Sequence, residues 1–239
     1  MFSKILIANR GEIAIRVIRA CKEMGVATVA VFSEADQDAL HVSLADESYC
    51  IGPGPAQKSY LNMAAILTVA QACGVQAIHP GYGLLSENHE FAGLCEQYGI
   101  CFIGPSREVM EKMGDKDAAR RTMRQAGVPV IPGCDLVPDV KTAKKEAAAI
   151  GYPLLLKARA GGGGRGIRRV DGEGGLEAAF VSATAEAQGA FGDGALYMEK
   201  LLEHVKHIET QLLCDQGGNV LCLGERDCSM QRKNQKVLE

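Results

Sequence analysis

The segment YPLLLKARAGGGGRGIRRV, residues 152–170, places four consecutive glycines between two apolar runs typical of β-strands. Gly161, Gly163 and Gly166 match the letters GxGxxG of a dinucleotide fingerprint, but that motif requires a helix to begin within it. The residues that follow, 167–170, are β-like instead, and no Lys-Ser/Thr pair follows the glycines as a P-loop requires. The segment therefore predicts a glycine-rich hairpin whose backbone N–H groups could cover a phosphate, with a plain flexible turn as the alternative.

The composition argues against several classes of protein. The formal net charge of −3 gives no excess of basic residues for binding a polyanion. No apolar run reaches the roughly 18 to 20 residues of a membrane span, and the N-terminus lacks the features of a signal peptide. The nine cysteines include no CxxC pair, so reduced thiols are favoured over zinc or disulfides. We therefore expect a cytoplasmic protein.

The first hundred residues alternate strand-like and helix-like patterns, which predicts a parallel α/β sheet. Functional loops on such a sheet collect at the carboxyl ends of its strands. Ser86 or Asn88 is placed to cap the third helix. The predicted strands are 4–9, 27–33, 75–79 and 100–104, and the predicted helices are 12–24, 59–73 and 89–98.

A second α/β region follows two short helices and the segment GVPVIPGC, residues 127–134, which indicates a boundary. A β-hairpin is predicted around Gln216-Gly217-Gly218. Too few residues follow 203 to bury a core, so we expect an N-terminal portion of a longer protein. The predicted elements after the boundary are helices at 139–150 and 175–188 and strands at 152–158, 167–170 and 196–202.

Two lysines are candidate phosphate ligands. Lys157 ends the strand before the glycines, where its ammonium group would lie beside a phosphate under the hairpin. Lys116 begins a helix after Met113-Gly114-Asp115. Each is equally compatible with an ordinary solvent-exposed lysine when taken alone.

Six motifs, in order and spacing, together resemble biotin carboxylase, an ATP-grasp enzyme: MFSKILIANRGEIAIRVIRACKEMG, HPGYGLLSEN, MGDK, the glycine segment, YMEKLL and GERDCSMQRKNQK. The resemblance covers the chain from residue 2 onward. It implies an α/β fold in which an N-terminal Rossmann-like parallel-sheet (pre-ATP-grasp) domain precedes an incomplete ATP-grasp fold with a glycine-rich lid subdomain. The implied limits are 1–114 for the first domain, 115–128 for a helical linker, 129–202 for the lid and 203–239 for the start of a truncated C-terminal subdomain.

The resemblance implies ATP- and bicarbonate-dependent carboxylation of biotin on a biotin carboxyl carrier protein. This is the first half-reaction of acetyl-CoA carboxylase or a related carboxylase. ATP, Mg²⁺ or Mn²⁺, bicarbonate and biotin would be needed, a carboxyltransferase would be a partner, and the enzyme would be a homodimer. This chain alone is expected to be inactive. Two alternatives stay open: another ATP-grasp enzyme, such as a carbamoyl-phosphate synthase, and a non-catalytic fragment that binds a nucleotide or dimerises.

The resemblance also implies roles for individual residues. Lys236 would be catalytic, near bicarbonate and the γ-phosphate, while Tyr82 and Glu87 would lie near the biotin ring. Metal ligands would lie beyond Glu239, so none is expected within the chain. A stripe of helix 12–24 would form part of the dimer interface, although such a stripe is otherwise a plain solvent-exposed face: Arg16, Arg19 and Glu23. The implied ATP-binding residues are Lys116, Lys157, Gly163, Gly164, Glu199, Lys200, Leu202, His207, Gln231 and Asn234.

Overall fold

A computed structural model describes residues 1–114, 116–159, 166–232 and 235–236, without the side chains of 116, 117 and 235. The chain divides into two units, Met1–Gly127 and Val128–Glu239. The finer limits drawn from the sequence, a linker at 115–128 and a further boundary after 202, stay predictions.

The first unit is built on a parallel sheet of five strands in the order β3-β2-β1-β4-β5. Alternate residues of β1 enter two separate cores, Leu6 in one and Ile5 and Ile7 in the other. Burial on both faces explains why the strand is a continuous apolar run. The predicted parallel sheet is confirmed, and its strands are β1 (Lys4–Ile7), β2 (Ala27–Phe32), β3 (Glu47–Cys50), β4 (Ala77–His79) and β5 (Cys101–Phe102).

Side-chain caps fix where two of the helices of this unit begin. The side chain of Asn88 accepts a hydrogen bond from the Phe91 amide at 2.8 Å, which confirms one of the two predicted caps. Asn62 does the same for Ala65, so the helix predicted from residue 59 begins only at Met63. The helices are α1 (Gly11–Glu23), α2 (Leu40–Leu44), α3 (Met63–Ala72), α4 (His89–Gln97), α5 (Arg107–Gly114) and α6 (Lys116–Gln125).

The second unit contains an antiparallel sheet of four strands in the order β6-β9-β7-β8. Two helices, α7 (Val140–Ile150) and α8 (Glu173–Phe191), share a core with one face of this sheet. Strand β6 was not predicted, because prolines on either side of it made the segment resemble a boundary. The strands are β6 (Gly133–Val137), β7 (Leu154–Ala158), β8 (Ile167–Val170) and β9 (Leu196–Lys200).

Four further strands form two antiparallel pairs. The predicted hairpin is confirmed as β10 (Ile208–Cys214) and β11 (Val220–Asp227), and Gly218 takes the left-handed backbone of its turn with φ +82°. The short strands β12 (Gln231–Arg232) and β13 (Gln235–Lys236) follow. Over the described ranges, no helix has both the length and the apolar character to cross a membrane.

Candidate functional site

An ion pair lies on the face of the four-stranded sheet opposite its helices. Lys157 is paired in register with Tyr197, and Glu199 lies two residues further along β9, so all three side chains share this face. The Lys157 ammonium group donates a hydrogen bond to a carboxylate oxygen of Glu199. The two side chains are only 25% and 10% exposed, respectively, so the pair lies largely out of water.

The end of β9 leaves backbone hydrogen-bonding groups open. The Lys200 amide donates to the Pro132 carbonyl at 2.8 Å, and the Leu201 amide donates to the Pro153 carbonyl at 3.0 Å. In an antiparallel pair of this kind the partner residue returns an N–H, but proline has none. The carbonyl of Lys200 therefore receives no hydrogen bond from the residue to which its own amide donates.

A donor lies beside this open acceptor. The amides of Lys200 and Leu201 point to opposite sides, to Pro132 and Pro153, and the same alternation carried one residue further places the Leu202 amide on the side of the Lys200 carbonyl. Among the described residues, no backbone acceptor is bonded to the Leu202 amide. The Lys200 ammonium group points elsewhere, to the carbonyl of Tyr152 at 2.6 Å. The backbone of Lys200 and Leu202 thus presents an acceptor and a donor next to each other.

A second polar cluster lies at the base of the β10–β11 hairpin. Gln231 donates from its side-chain amide to Nδ1 of His207 at 2.8 Å. His207 is held in place by its backbone, since its carbonyl accepts from the Cys228 amide at 2.7 Å and its amide donates to the Ser229 hydroxyl at 2.9 Å. The structure therefore brings together two of the sequence-predicted residues.

Lys236 joins the same hairpin through a carboxylate that sequence reasoning missed. Glu209 accepts hydrogen bonds from the Lys236 ammonium group and from Arg226 Nε, the latter at 2.8 Å. These bonds, with that from Lys236 the largest cause and that from Arg226 next, hold the pKa of Glu209 at about 2. In the sequence, His207, Glu209 and Gln211 alternate as the residues of one strand face do, but that pattern does not identify the partner of Lys236.

The loop after β4 is fixed by a buried asparagine. Asn9 is 4% exposed, and its side-chain nitrogen donates to the carbonyls of Pro80 and Tyr82 at 2.7 and 2.8 Å. The Tyr82 hydroxyl group donates to Glu12 in α1, while its side chain remains 62% exposed. Glu87, on the same loop, is exposed. Tyr82 is therefore a ring displayed at the carboxyl edge of the parallel sheet.

The remaining candidate residues divide into those the structure exposes and those it does not describe. Arg16, Arg19 and Glu23 are exposed on α1, opposite the buried Val17 and Cys21. Within the described ranges, no group of three or more His, Cys, Asp or Glu side chains could hold a metal ion. Lys116 is the first residue of α6, but its side chain lies outside the described part, and three further candidates lie there entirely: Gly163, Gly164 and Asn234.

Comparison with known proteins identifies the family. Residues 1–110 match the biotin carboxylase N-terminal domain, and residues 115–239, more than half of the chain, match the ATP-binding domain of the carbamoyl-phosphate synthase L chain. The chain is 54% identical to biotin carboxylase 1 of Bacillus subtilis over 240 residues, which is all of this chain and 53% of that protein. The chain belongs to the biotin carboxylase family. It spans about half the length of the curated relatives it matches.

Solved structures of biotin carboxylases agree with the fold. The biotin carboxylase domain of Hydrogenobacter thermophilus 2-oxoglutarate carboxylase matches with a TM-score of 0.86 and 56% identity, over 99% of this chain and 52% of that one. It is a domain dimer in complex with MgADP, ADP and bicarbonate. Biotin carboxylase from Campylobacter jejuni, as a β-γ-ATP complex, matches with a TM-score of 0.89 and 54% identity, over 99% and 53%. The family resemblance and the predicted fold class are both confirmed.

Proposed function

We propose that this chain is the nucleotide-binding part of an enzyme that carboxylates biotin with ATP and bicarbonate. The observation that carries the proposal is the open acceptor and donor of Lys200 and Leu202, at the end of the strand that also bears the partner of Lys157. The names of the relatives support biotin carboxylation, and the bound groups of the two solved structures support ATP, magnesium and bicarbonate.

The chemistry of adenine fits this strand end. The base presents an exocyclic amino donor beside a ring nitrogen acceptor, which the Lys200 carbonyl and the Leu202 amide would satisfy together. We place the phosphates towards Lys157, where they would compete with Glu199 for its ammonium group. The Glu199 carboxylate would then accept a hydrogen bond from the base. Gly163 and Gly164 are added to this proposed site from the family resemblance, which also implies a role in ATP binding for Lys116.

The proposed reaction begins when an oxygen of bicarbonate attacks the γ-phosphorus of ATP. The bond between that phosphorus and the β–γ bridging oxygen breaks, so ADP leaves and carboxyphosphate forms. The carboxyl group then passes to N1′ of biotin on the carrier protein as the bond from the carboxyl carbon to the phosphate oxygen breaks, and the released phosphate takes up the N1′ proton. A lid of backbone N–H groups would exclude water from the labile intermediate.

Lys236 would offset negative charge at the transferring phosphoryl group. Glu209 and Arg226 restrict the lysine before substrate arrives, since Glu209 bonds to both. His207 and Gln231, joined to each other, would contact the ribose and phosphates, with Asn234 from the family resemblance. The described residues offer no metal-binding cluster for Mg²⁺, so no step is assigned to the ion.

The biotin ring and the dimer interface are assigned to the first unit. We propose that biotin approaches Tyr82 and Glu87, because Tyr82 is displayed on a loop fixed by Asn9. Arg16, Arg19 and Glu23 are proposed as part of a homodimer interface, which the domain dimer of the Hydrogenobacter structure supports. A carboxyl carrier protein and a carboxyltransferase would complete the enzyme. A relative 55% identical to this chain is named 2-oxoglutarate carboxylase small subunit, so the relatives of this chain are not limited to carboxylases of acetyl-CoA.

Carbon-14 bicarbonate tests the proposal with the product of the whole reading frame that encodes this chain. We expect acid-labile label on biotin, one ADP per carboxyl group, and no label when ATP or biotin is omitted. ATP cleavage that is indifferent to biotin but forms carbamoyl phosphate from ammonia would instead assign a carbamoyl-phosphate synthase activity.

A further inference from the structure

The residue opposite Lys200 determines which hydrogen-bonding groups the strand end presents. Gly133 is paired in register with Glu199, so Pro132 lies opposite Lys200 at the start of β6. The Lys200 amide donates to the Pro132 carbonyl at 2.8 Å, which marks this pair as one in which two hydrogen bonds are normally exchanged. Only one of the two can form, because proline carries a ring carbon where the second donor would be.

Any other residue at position 132 would have a backbone N–H. That N–H would donate a hydrogen bond to the Lys200 carbonyl and complete the pair. That carbonyl would then already have a partner before a ligand arrived, so a base amino group would gain less by bonding to it. Pro132 is itself exposed and belongs to none of the hydrophobic cores of its unit, so core packing does not account for a proline at this position.

We propose that Pro132 is a specificity-determining residue that keeps the Lys200 carbonyl open for the 6-amino group of adenine. The inference rests on the proposed function, because it assumes that the base binds at Lys200 and Leu202. It adds that the selection of adenine over a purine without this amino group depends on a missing N–H in the neighbouring strand.

The variant Pro132→Ala restores the N–H with little other change. Calorimetry on this chain, with Mg²⁺, compares ATP with purine riboside triphosphate, which lacks only the 6-amino group. We expect the unchanged chain to prefer ATP about tenfold, the size of one net hydrogen bond. In Pro132→Ala the preference should fall to about threefold or less, through weaker ATP binding and unchanged binding of the analogue.

Pro138→Ala is the matched control, since Pro138 is also exposed in the second unit but precedes α7 and faces no carbonyl of β9. Both substitutions relax the unfolded chain to a similar extent, but only Pro132→Ala should change the ratio of the two affinities. Hydrogen exchange at the new amide of residue 132 shows directly whether its bond to Lys200 has formed, and we expect slowed exchange.

Each outcome bears on a definite claim. An unprotected amide at residue 132, or a protected amide with an unchanged affinity ratio, overturns the role of Pro132 and leaves ATP binding intact. Equal affinity of the unchanged chain for the two triphosphates also overturns it. If the unchanged chain binds neither triphosphate, the nucleotide site itself is wrong and this inference falls with it.

Discussion

Removal of Lys157 should destabilise the second unit more than neutralisation of its partner Glu199. Lys157→Met removes a cation that is bonded to a carboxylate nine-tenths buried, while Glu199→Gln leaves an ammonium group that is a quarter exposed and accessible to water. Breaking a fully buried ion pair from one side costs about 3–5 kcal/mol. Because this pair is not fully buried, we expect about 3 kcal/mol for Lys157→Met and about 1 kcal/mol for Glu199→Gln.

The double variant measures the interaction between the two charges. With both charges removed, neither member of the pair is left as a buried charge, and we expect a loss of only about 2 kcal/mol, mainly from altered polar contacts. The single losses would sum to about 4 kcal/mol, so the expected coupling free energy is about 2 kcal/mol.

Native-state hydrogen exchange of the β9 amides provides the assay, because it reports the opening of the second unit separately from the first. Lys157→Met should reduce the protection of these amides about 100-fold, since a factor of ten corresponds to about 1.4 kcal/mol. A coupling free energy below about 0.5 kcal/mol would mean that the effects of the two substitutions simply add, and it would refute a stabilising interaction between the two charges.

Three further predictions concern other parts of the molecule. The Tyr60 hydroxyl group accepts a hydrogen bond from the buried Ser33 amide at 3.1 Å and donates one to Asp36 at 2.7 Å. Tyr60→Phe removes both bonds, so the free energy of opening of the first unit, measured by hydrogen exchange, should fall by about 1–2 kcal/mol, and an unchanged value would contradict this. Carbon-13 NMR should find that Glu209 titrates near pH 2, and Lys236→Met should raise that midpoint. Because the folded pKa of Glu209 is depressed, its contribution to stability is complete above its ordinary pKa and is lost as the pH falls towards 2; a midpoint near 4.5 in the unchanged chain would exclude the pair. Asn9→Leu removes both hydrogen bonds from the Asn9 side chain to the loop after β4. The amides of that loop should then exchange at least tenfold faster than in the unchanged chain, while the amides of β2 keep their rates. Loop amides that exchange at the same rate in the variant and the unchanged chain would show that Asn9 does not fix the loop.

The parts of the fold that follow one strong pattern could be predicted from the sequence. Buried parallel strands such as β1 are continuous apolar runs, and Asn88 lies where a helix cap is expected. The segment with four glycines was predicted as a hairpin because β-like residues follow it, and β7 and β8 are indeed antiparallel neighbours. Strand β6 was missed because Pro132 immediately precedes it, and local propensity disfavours a strand beside a proline.

The site was only partly predictable, because a motif gives residues and not their partners. Lys157 and Glu199 are 42 positions apart in sequence, and only the register of β7 with β9 brings them together. Glu209 lies 27 positions before Lys236 and was visible only as one member of an alternating stripe. The open carbonyl of Lys200 is not visible in sequence at all, since it depends on which residue lies opposite in another strand.

Adenine bound by the backbone at the end of β9 would change the amide signal of Leu202. Titration of the nitrogen-15-labelled chain with ATP and Mg²⁺ follows that signal. We expect it to shift downfield and saturate with ATP, and to shift much less with triphosphate ion alone. Saturable ATP binding that leaves the Leu202 amide unmoved would show that the base binds elsewhere.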